Sequence, residues 1–184
     1  MTQPFAHRKL IPDVVKGQIY VVGDNVDTDQ IIPALHLSLD LSRPDDRKKL
    51  GWHALSGLPE TGQGLPKGNT PFSQEDQPNG RFPIVVAGKN FGWGSSQEHA
   101  CVALHEGGVQ AIIAEGFSRA FHGSSVSRGH LMLCETQQER LCETIETGME
   151  GELILANTSK PVLYVAALKT SWTLGPLGEI LSVL

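Results

Sequence analysis

The stretch from Gly92 to His99 (GWGSSQEH) combines residue types that suit binding and catalysis. Two hydroxyl groups, on Ser95 and Ser96, follow closely spaced glycines and stand at the start of a predicted helix. Backbone N–H groups at a helix start lack intrahelical partners, and the helix dipole places a partial positive charge there. The pattern therefore favours a site for a carboxylate or a phosphate.

A helix cap without a ligand explains the same residues. Ser95 and Glu98 have the spacing of a capping box, in which side chains satisfy the first N–H groups of the helix. The two interpretations are compatible. The segment is not a P-loop, because Lys89 precedes the glycines and no Gly-Lys-Ser/Thr ends the turn. His99 and Cys101 are two residues apart on the predicted helix, so they cannot form a catalytic pair.

A second candidate is the acidic turn that contains Asp24, Asp27 and Asp29. Alternating carboxylates can bind a metal ion. A turn that needs local hydrogen bonds from side chains to the backbone explains the same residues. We favour the turn, and we predict no metal site in this chain.

Buried strands and one helix must position these residues. Phe82–Ala87 and Val109–Ala114 are apolar runs typical of buried strands. Between them, a helix is predicted from Ser95 to about Glu106, ended by Gly107 and Gly108. Strand, glycine loop, helix and strand form a βαβ unit, which predicts two parallel strands.

The remaining elements complete an α/β fold with a mixed sheet. A strand precedes the acidic turn, and a broken helical pattern follows it as far as Leu55. A third strand, a helix ended by Gly148, and an antiparallel pair around Asn157–Ser159 are predicted further on. The predicted ranges are Gln18–Val22, His130–Cys134, Thr136–Thr147, Glu152–Ala156 and Val162–Ala166.

Composition limits the possible functions. The 184 residues predict a single domain over 1–184, and 15 basic against 20 acidic residues give a net charge of −5. This balance argues against nucleic-acid or anionic-membrane partners. The sequence contains no apolar run long enough for a membrane span and no secretory signal. Cys101, Cys134 and Cys142 form no CxxC pair, so we expect a reduced, cytoplasmic protein.

The segment 57–81 is a long loop rich in glycine and proline. About 25 residues without regular structure are unusual within a domain. The segment is either a lid, binding loop or partner contact, or a disordered surface excursion.

Three segments together resemble the small-subunit (swivelling-domain) side of the aconitase superfamily, and most closely the 3-isopropylmalate dehydratase small subunits. The first two are the long and specific motifs VGDNVDTDQIIP (22–33) and GKNFGWGSSQEHA (88–100). The third is Gly107–Ala114 with Phe117-Ser118-Arg119.

The resemblance implies a swivelling β/β/α domain and a hydro-lyase. The reaction is the stereospecific dehydration and rehydration of a 2-hydroxy dicarboxylate, such as 2-isopropylmalate in leucine biosynthesis or a related 2-substituted malate. A large subunit carries the [4Fe-4S] cluster, so this chain binds no cofactor. The chain contributes one wall of the active site in a heterodimer or heterotetramer.

The resemblance also assigns roles to residues. Ser95 matches the base that removes the proton next to a carboxylate, and Ser96 matches a serine that binds substrate. Asp27, Thr28 and Asp29 match an acidic loop near that serine. His36, Leu37 and Ser38 lie in the loop that distinguishes substrate side chains. Supporting positions are Gly94, Glu98, His99 and Arg119.

This chain departs from the family pattern at two places. Gln97 stands where the family has an arginine that grips a substrate carboxylate, and an uncharged donor binds more weakly. The segment His122–Ser125 lacks an expected arginine and asparagine, although Arg119 is present and Arg128 is nearby. These departures support an alternative, a non-catalytic paralogue that binds and modulates a large subunit.

Overall fold

A mixed seven-stranded sheet is the central element of the computed structural model, which describes residues 12–73, 80–95, 97–128, 131–136, 139–155 and 160–175. The strands have the order β4-β3-β2-β1-β5-β6-β7. Their bounds are β1 Val14–Val21, β2 Ile84–Val86, β3 Ala111–Ala114, β4 Met132–Glu135, β5 Glu150–Ile154, β6 Val162–Val165 and β7 Thr170–Thr173.

Five α-helices accompany the sheet in the described residues. They are α1 Thr28–Ile31, α2 Pro44–Trp52, α3 Glu98–Glu106, α4 Arg119–Arg128 and α5 Leu141–Thr144. Short 3₁₀ turns occupy Ala34–His36, Glu60–Gly62 and Ala166–Leu168. Within the ranges described, none of the helices has the length and apolar character needed to cross a membrane.

The predicted βαβ unit is confirmed. β2 and β3 are parallel, with Val85 opposite Ile112, and α3 connects them. β1 and β4 extend this parallel group on either side. All residues of β2 and β3 are buried, which explains their continuous apolar sequence.

The other half of the sheet is antiparallel. β5 pairs with β1 and with β6, with Leu153 opposite Leu163. The predicted antiparallel pair is therefore confirmed, although the predicted turn at residues 157–159 lies outside the described residues. β7, which pairs with β6, was not predicted. Its sequence, TSWT, is mostly exposed and carries no apolar alternation.

Two hydrophobic clusters fill the two faces of the sheet, because neighbouring residues of a strand point to opposite faces. Tyr20 packs with Leu104 and Ile112 on the helical face. Its neighbour Ile19 packs with Leu153 on the other face.

Two helix predictions differ from the structure. The helix predicted over Thr136–Thr147 is one turn, α5, because the Thr136 N–H bonds to the carbonyl of Ala114 and continues the strand ladder. Residues 137 and 138 lie outside the described residues. α4 was not predicted, since a glycine and several serines weaken its helical pattern. Its first turn is stabilised by Ser118, whose Oγ accepts from the Phe121 N–H at 3.2 Å.

The first part of the long loop packs against the core. Leu58 and Phe72 are buried, and the Tyr20 hydroxyl donates to the carbonyl of Thr70 at 2.7 Å. A disordered surface excursion is therefore the wrong interpretation for residues 57–73. Residues 74–79 lie outside the described residues, and a role as lid or partner contact stays a prediction.

Candidate functional site

Two loops meet at one edge of the sheet, because β1 and β2 are adjacent and parallel. The first loop follows β1, and the second follows β2. Backbone hydrogen bonds join them from Asn25 to Lys89 (2.8 Å), from Gly92 to Val26 (2.7 Å) and from Thr28 to Trp93 (2.9 Å). The acidic turn and the serine segment are thereby held side by side.

The acidic turn is a helix cap. Asp27 Oδ1 accepts from the Gln30 N–H at 2.7 Å, and Gln30 Oε1 accepts from the Asp27 N–H at 3.1 Å. This reciprocal pair is a capping box, which starts α1. The preferred interpretation of Asp27 as a turn residue is confirmed.

The three aspartates of the turn do not converge on one point. Asp24 accepts from the Lys89 N–H at 2.8 Å, and Asp29 lies 3.4 Å from Gln97 Nε2. Among the described residues, one group with metal-ligand spacing contains Asp24, and its other members are Glu115 and Cys142. Arg140 already pairs with both of these carboxylates, so a cation is in place there.

Two glycines shape the second loop. Gly92 has φ +73°, and a Cβ there would lie 2.4 Å from the Phe121 ring. Gly94 has φ +109°, and a Cβ there would lie 3.0 Å from Thr28 Oγ1. Both backbone conformations are unfavourable for residues with a side chain. The loop therefore approaches α1 and α4 more closely than larger residues would permit.

Ser95 lies at the end of this loop and is exposed. Its Oγ accepts a hydrogen bond from Gln97 Nε2 at 2.7 Å. Thr28 Oγ1, on a buried residue, is 3.5 Å from the same oxygen. Gln97 Nε2 also points to Asp29 Oδ1 at 3.4 Å. The structure thus brings three other predicted site residues close to the accessible hydroxyl of Ser95.

The capping box predicted for Ser95 and Glu98 is wrong. α3 begins at Glu98, its N-cap is Gln97, and no side chain caps it. Ser95 lies in a turn ahead of the helix, where its carbonyl accepts from the Gln97 N–H at 2.9 Å. Ser95 Oγ therefore accepts from the side-chain amide of Gln97. The sequence predicts backbone N–H groups of the helix as the donors at this position.

The predicted side-chain loop lies beside the start of α3. His99 Nε2 is 3.1 Å from the carbonyl oxygen of Leu39, which joins this loop to the helix. Leu37 is half-buried and Ser38 is exposed. His36 stacks on His53 with ring centroids 3.8 Å apart. Burial, and then the neighbouring His53, lower the pKa of His36.

Two other predicted residues lie on the first turns of helices, and a third falls outside the described part of the chain. Arg119 is exposed at the first position of α4. Glu98 is exposed on the first turn of α3. Ser96 lies outside the described residues, as does the side chain of Arg128.

Residues that sequence reasoning missed hold the second loop in place. Trp93 Nε1 donates to the carbonyl of Asn25 at 2.8 Å, while 46% of the residue remains exposed. Ser118 Oγ donates to the carbonyl of Gly92 at 2.6 Å. A tryptophan between two glycines was the available signal for the first contact. The second contact had no such signal, because Ser118 lies 26 residues further on.

The cysteines do not fit a [4Fe-4S] site in this chain. All three are buried, and Cys101 lies in a different hydrophobic cluster from Cys134 and Cys142. Burial raises the pKa of the Cys134 thiol to about 12. Cluster ligands are thiolates that converge on one point, whereas these cysteines lie in two separate hydrophobic clusters.

Comparisons with known proteins match the same region. A family model described as the aconitase C-terminal domain matches residues 21–138. 3-Isopropylmalate dehydratase small subunit 1 of Arabidopsis thaliana is 40% identical over 148 residues, which cover 77% of this chain and 56% of the relative. A methanogen homoaconitase small subunit of Methanocaldococcus jannaschii is 30% identical, over 81% of this chain and 78% of the relative.

A solved structure resembles the fold. It is a 3-isopropylmalate dehydratase of Methanocaldococcus jannaschii, with a TM-score of 0.64 and 27% identity over 89% of this chain and 82% of that chain. The present chain spans 49–62% of the length of three Arabidopsis relatives. The expected swivelling α/β fold and the resemblance to 3-isopropylmalate dehydratase small subunits are both confirmed. The chain belongs to the aconitase C-terminal domain family.

Proposed function

We propose that this chain is the small subunit of a hydro-lyase of the 3-isopropylmalate dehydratase type. Its substrate is 2-isopropylmalate or a related 2-substituted malate, and it acts only with a large subunit, as a heterodimer or heterotetramer. One observation carries the proposal: an exposed Ser95 hydroxyl bonded to Gln97 at 2.7 Å, where two loops of the matched family region meet. The named relatives support the reaction class.

In this reaction Ser95 Oγ acts as the base. The oxygen takes the proton from the carbon next to a carboxylate, and the electron pair of that C–H bond forms a double bond. The C–O bond of the neighbouring carbon breaks at the same time, and the hydroxyl group leaves. Addition of water in the opposite sense, with the proton returned by Ser95, gives the isomeric 2-hydroxy acid.

A serine oxygen is a poor base at its ordinary pKa, so its charged form needs stabilisation. Gln97 donates to Ser95 Oγ, and the hydroxyl of Thr28 lies within 3.5 Å. Donors already in place at a developing negative charge need no rearrangement during reaction. Gln97 therefore supports the base, in addition to the contact with substrate that we predict for it.

The other predicted residues contact the substrate or support the loops that do. Ser96 hydrogen-bonds the substrate, while His36, Leu37 and Ser38 face its variable substituent. Asp27, Asp29, Gly94, Glu98, His99 and Arg119 support the loops. A [4Fe-4S] cluster held by the large subunit supplies the Lewis acid for the departing hydroxyl group. Buried cysteines that form no disulfide support a reducing compartment such as the cytoplasm.

Reconstitution tests the proposal. The full chain is co-expressed with a candidate large subunit, purified anaerobically and given a panel of 2-substituted malates, while absorbance reports the alkene. We expect turnover by the pair and none by either subunit alone. Ser95→Ala should lower kcat about 10²–10⁴-fold with the complex intact. Absence of turnover with every malate, or full activity of Ser95→Ala, would refute the proposal.

The non-catalytic paralogue remains the second candidate, because Gln97 carries no charge. Under this alternative the natural pair is inactive, and Gln97→Arg creates activity. Under the main proposal the natural pair is active, and Gln97→Arg removes the amide that donates to Ser95. The two functions thus predict opposite effects of one substitution. An active natural pair that Ser95→Ala inactivates would exclude the paralogue.

A further inference from the structure

Arg140 is bonded to three carboxylates at the edge of the sheet where the site lies. Nη1 donates to Glu115 at 2.9 Å, Nε donates to Glu143 at 2.6 Å, and Nη2 lies 3.1 and 3.2 Å from the two oxygens of Asp24. The side chain is only 34% exposed. Each of the three guanidinium nitrogens donates to a carboxylate, which a lysine ammonium could not reproduce.

Two of these carboxylates lie at the bases of different loops. Asp24 begins the acidic turn after β1, and Glu115 directly follows β3. Between them lies the loop after β2, and both neighbours hold it: Asp24 Oδ1 accepts from the Lys89 N–H at 2.8 Å, and the Glu115 N–H donates to the carbonyl of Gly88 at 3.1 Å. Arg140 therefore links the segments that follow β1 and β3, and these two segments hold the loop after β2 between them.

The charges at this point favour the arrangement. The backbone N–H of Lys89 is the largest cause that lowers the pKa of Asp24, and Arg140 lowers it further. The pKa of Arg140 is raised by its bonds to Glu143 and Asp24. Both groups consequently remain charged at neutral pH.

At the opposite end of the loops the contacts are longer. Thr28 and Ser95 are 3.5 Å apart, and Gln97 and Asp29 are 3.4 Å apart. Such side-chain contacts are weak and cannot by themselves fix the position of an exposed hydroxyl. Backbone bonds from Gly92 to Val26 and from Thr28 to Trp93 keep the two loops together. The contacts at Asp24 and Lys89 fix them at their base, so the position of Ser95 depends on both sets.

We infer that Arg140 is a positioning residue of the site: by holding Asp24 and Glu115 together, it sets the relative placement of the acidic turn and the serine loop. The inference rests on the proposed function for its kinetic consequence only. Arg140 touches none of the predicted substrate-binding residues in the described structure, so it is not a catalytic residue.

Kinetics of the reconstituted complex give the first test. Arg140→Gln should lower kcat about tenfold or more, because small displacements of a catalytic group are costly, while KM stays within about twofold. Lys16→Gln is the control, since it removes an ion pair of 2.9 Å with Glu152 between β1 and β5. It should leave kcat unchanged. A kcat for Arg140→Gln within twofold of the wild type would overturn the inference.

Arg140→Lys separates positioning from charge balance. A lysine retains the cation but lacks the planar fork. Arg140→Gln should lower both the urea midpoint of unfolding and kcat. Relative to that variant, Arg140→Lys should recover the urea midpoint more fully than kcat. Recovery of both in equal proportion would indicate a general electrostatic role and would overturn the inference.

Amide hydrogen exchange tests the same inference without turnover. In Arg140→Gln the N–H groups of Asn25 and Lys89, which bridge the two loops, should lose protection, while those of β5 and β6 keep theirs. Unchanged exchange in both loops would overturn the positioning role. An inactive wild-type complex combined with the expected exchange pattern would instead refute the proposed function alone.

Discussion

The two halves of the sheet use the same kinds of apolar residues but carry different features at their ends. In the parallel half, β1 and β2 end in loops that bond to each other and carry Thr28 and Ser95. In the antiparallel half, Leu153 and Leu163 are fully buried, and no group of predicted site residues lies there in the described chain. Parallel pairing brings the same ends of neighbouring strands together, so distant segments can share one site.

The largest effect should come from the antiparallel core. Leu153→Ala removes a side chain that is 0% exposed, and it should lower the free energy of unfolding by about 2–5 kcal/mol. The reconstituted complex should keep its kcat per folded molecule, because the site loops are anchored elsewhere. Urea unfolding and kinetics measure the two quantities. A large fall in kcat would show that the halves are not separable.

Gly92→Ala should affect both stability and activity. The new Cβ would meet the Phe121 ring in an unfavourable backbone conformation, which should cost about 2–4 kcal/mol. The serine loop should also move, so kcat should fall. Phe121→Leu in the same chain should recover part of the stability. Strict additivity of the two substitutions would argue against the steric cause.

Gly94→Ala should have a smaller effect on stability, about 1–3 kcal/mol, and a clear effect on kcat. Its Cβ would press on Thr28 Oγ1 beside Ser95. Gly80→Ala is a matched control: its φ is +110° against +109°, and an added Cβ there would meet nothing within 4 Å. The two variants should lose similar stability, and Gly80→Ala alone should retain full kcat.

The smallest effect concerns pH. The pKa of His36 is lowered by burial and by His53, so the unfolded chain binds a proton more readily than the folded one. The contribution of His36 to the free energy of unfolding should be fully present above about pH 6.5. It should be lost as the pH drops toward the pKa of His36 in the folded protein. The urea midpoint of His36→Gln should vary less over this range. An identical pH profile of the two proteins would contradict the prediction.

The sequence predicted the parallel strands well, because complete burial leaves a continuous apolar run such as FPIVVA at 82–87. It predicted α4 and α5 poorly. α4 depends on the Ser118 cap and on packing of Phe121, which outweigh its weak propensity. α5 is short because Thr136 pairs with β3.

The capping boxes show the same limit at the site. Ser95 with Glu98 and Asp27 with Gln30 have equal spacing, but only the second pair forms a cap. Around Ser95 the chain is still in the loop, where the Trp93 carbonyl accepts from the Thr28 N–H, and α3 begins only at Glu98. Sequence reasoning identified both loops from their motifs. The contacts of Arg140 with Glu115 and Asp24 span 25 and 116 residues, and no local sequence pattern predicts them.

Thr28 and Ser95 are 67 residues apart in the chain. Contacts of this kind are made late in folding, since a long stretch of chain must first be brought together. The hydroxyl pair can approach only after β1 and β2 have aligned, so the Thr28–Ser95 contact reports native pairing of these two strands. A newly made polypeptide would thus complete the surroundings of Ser95 only together with the parallel half of its sheet.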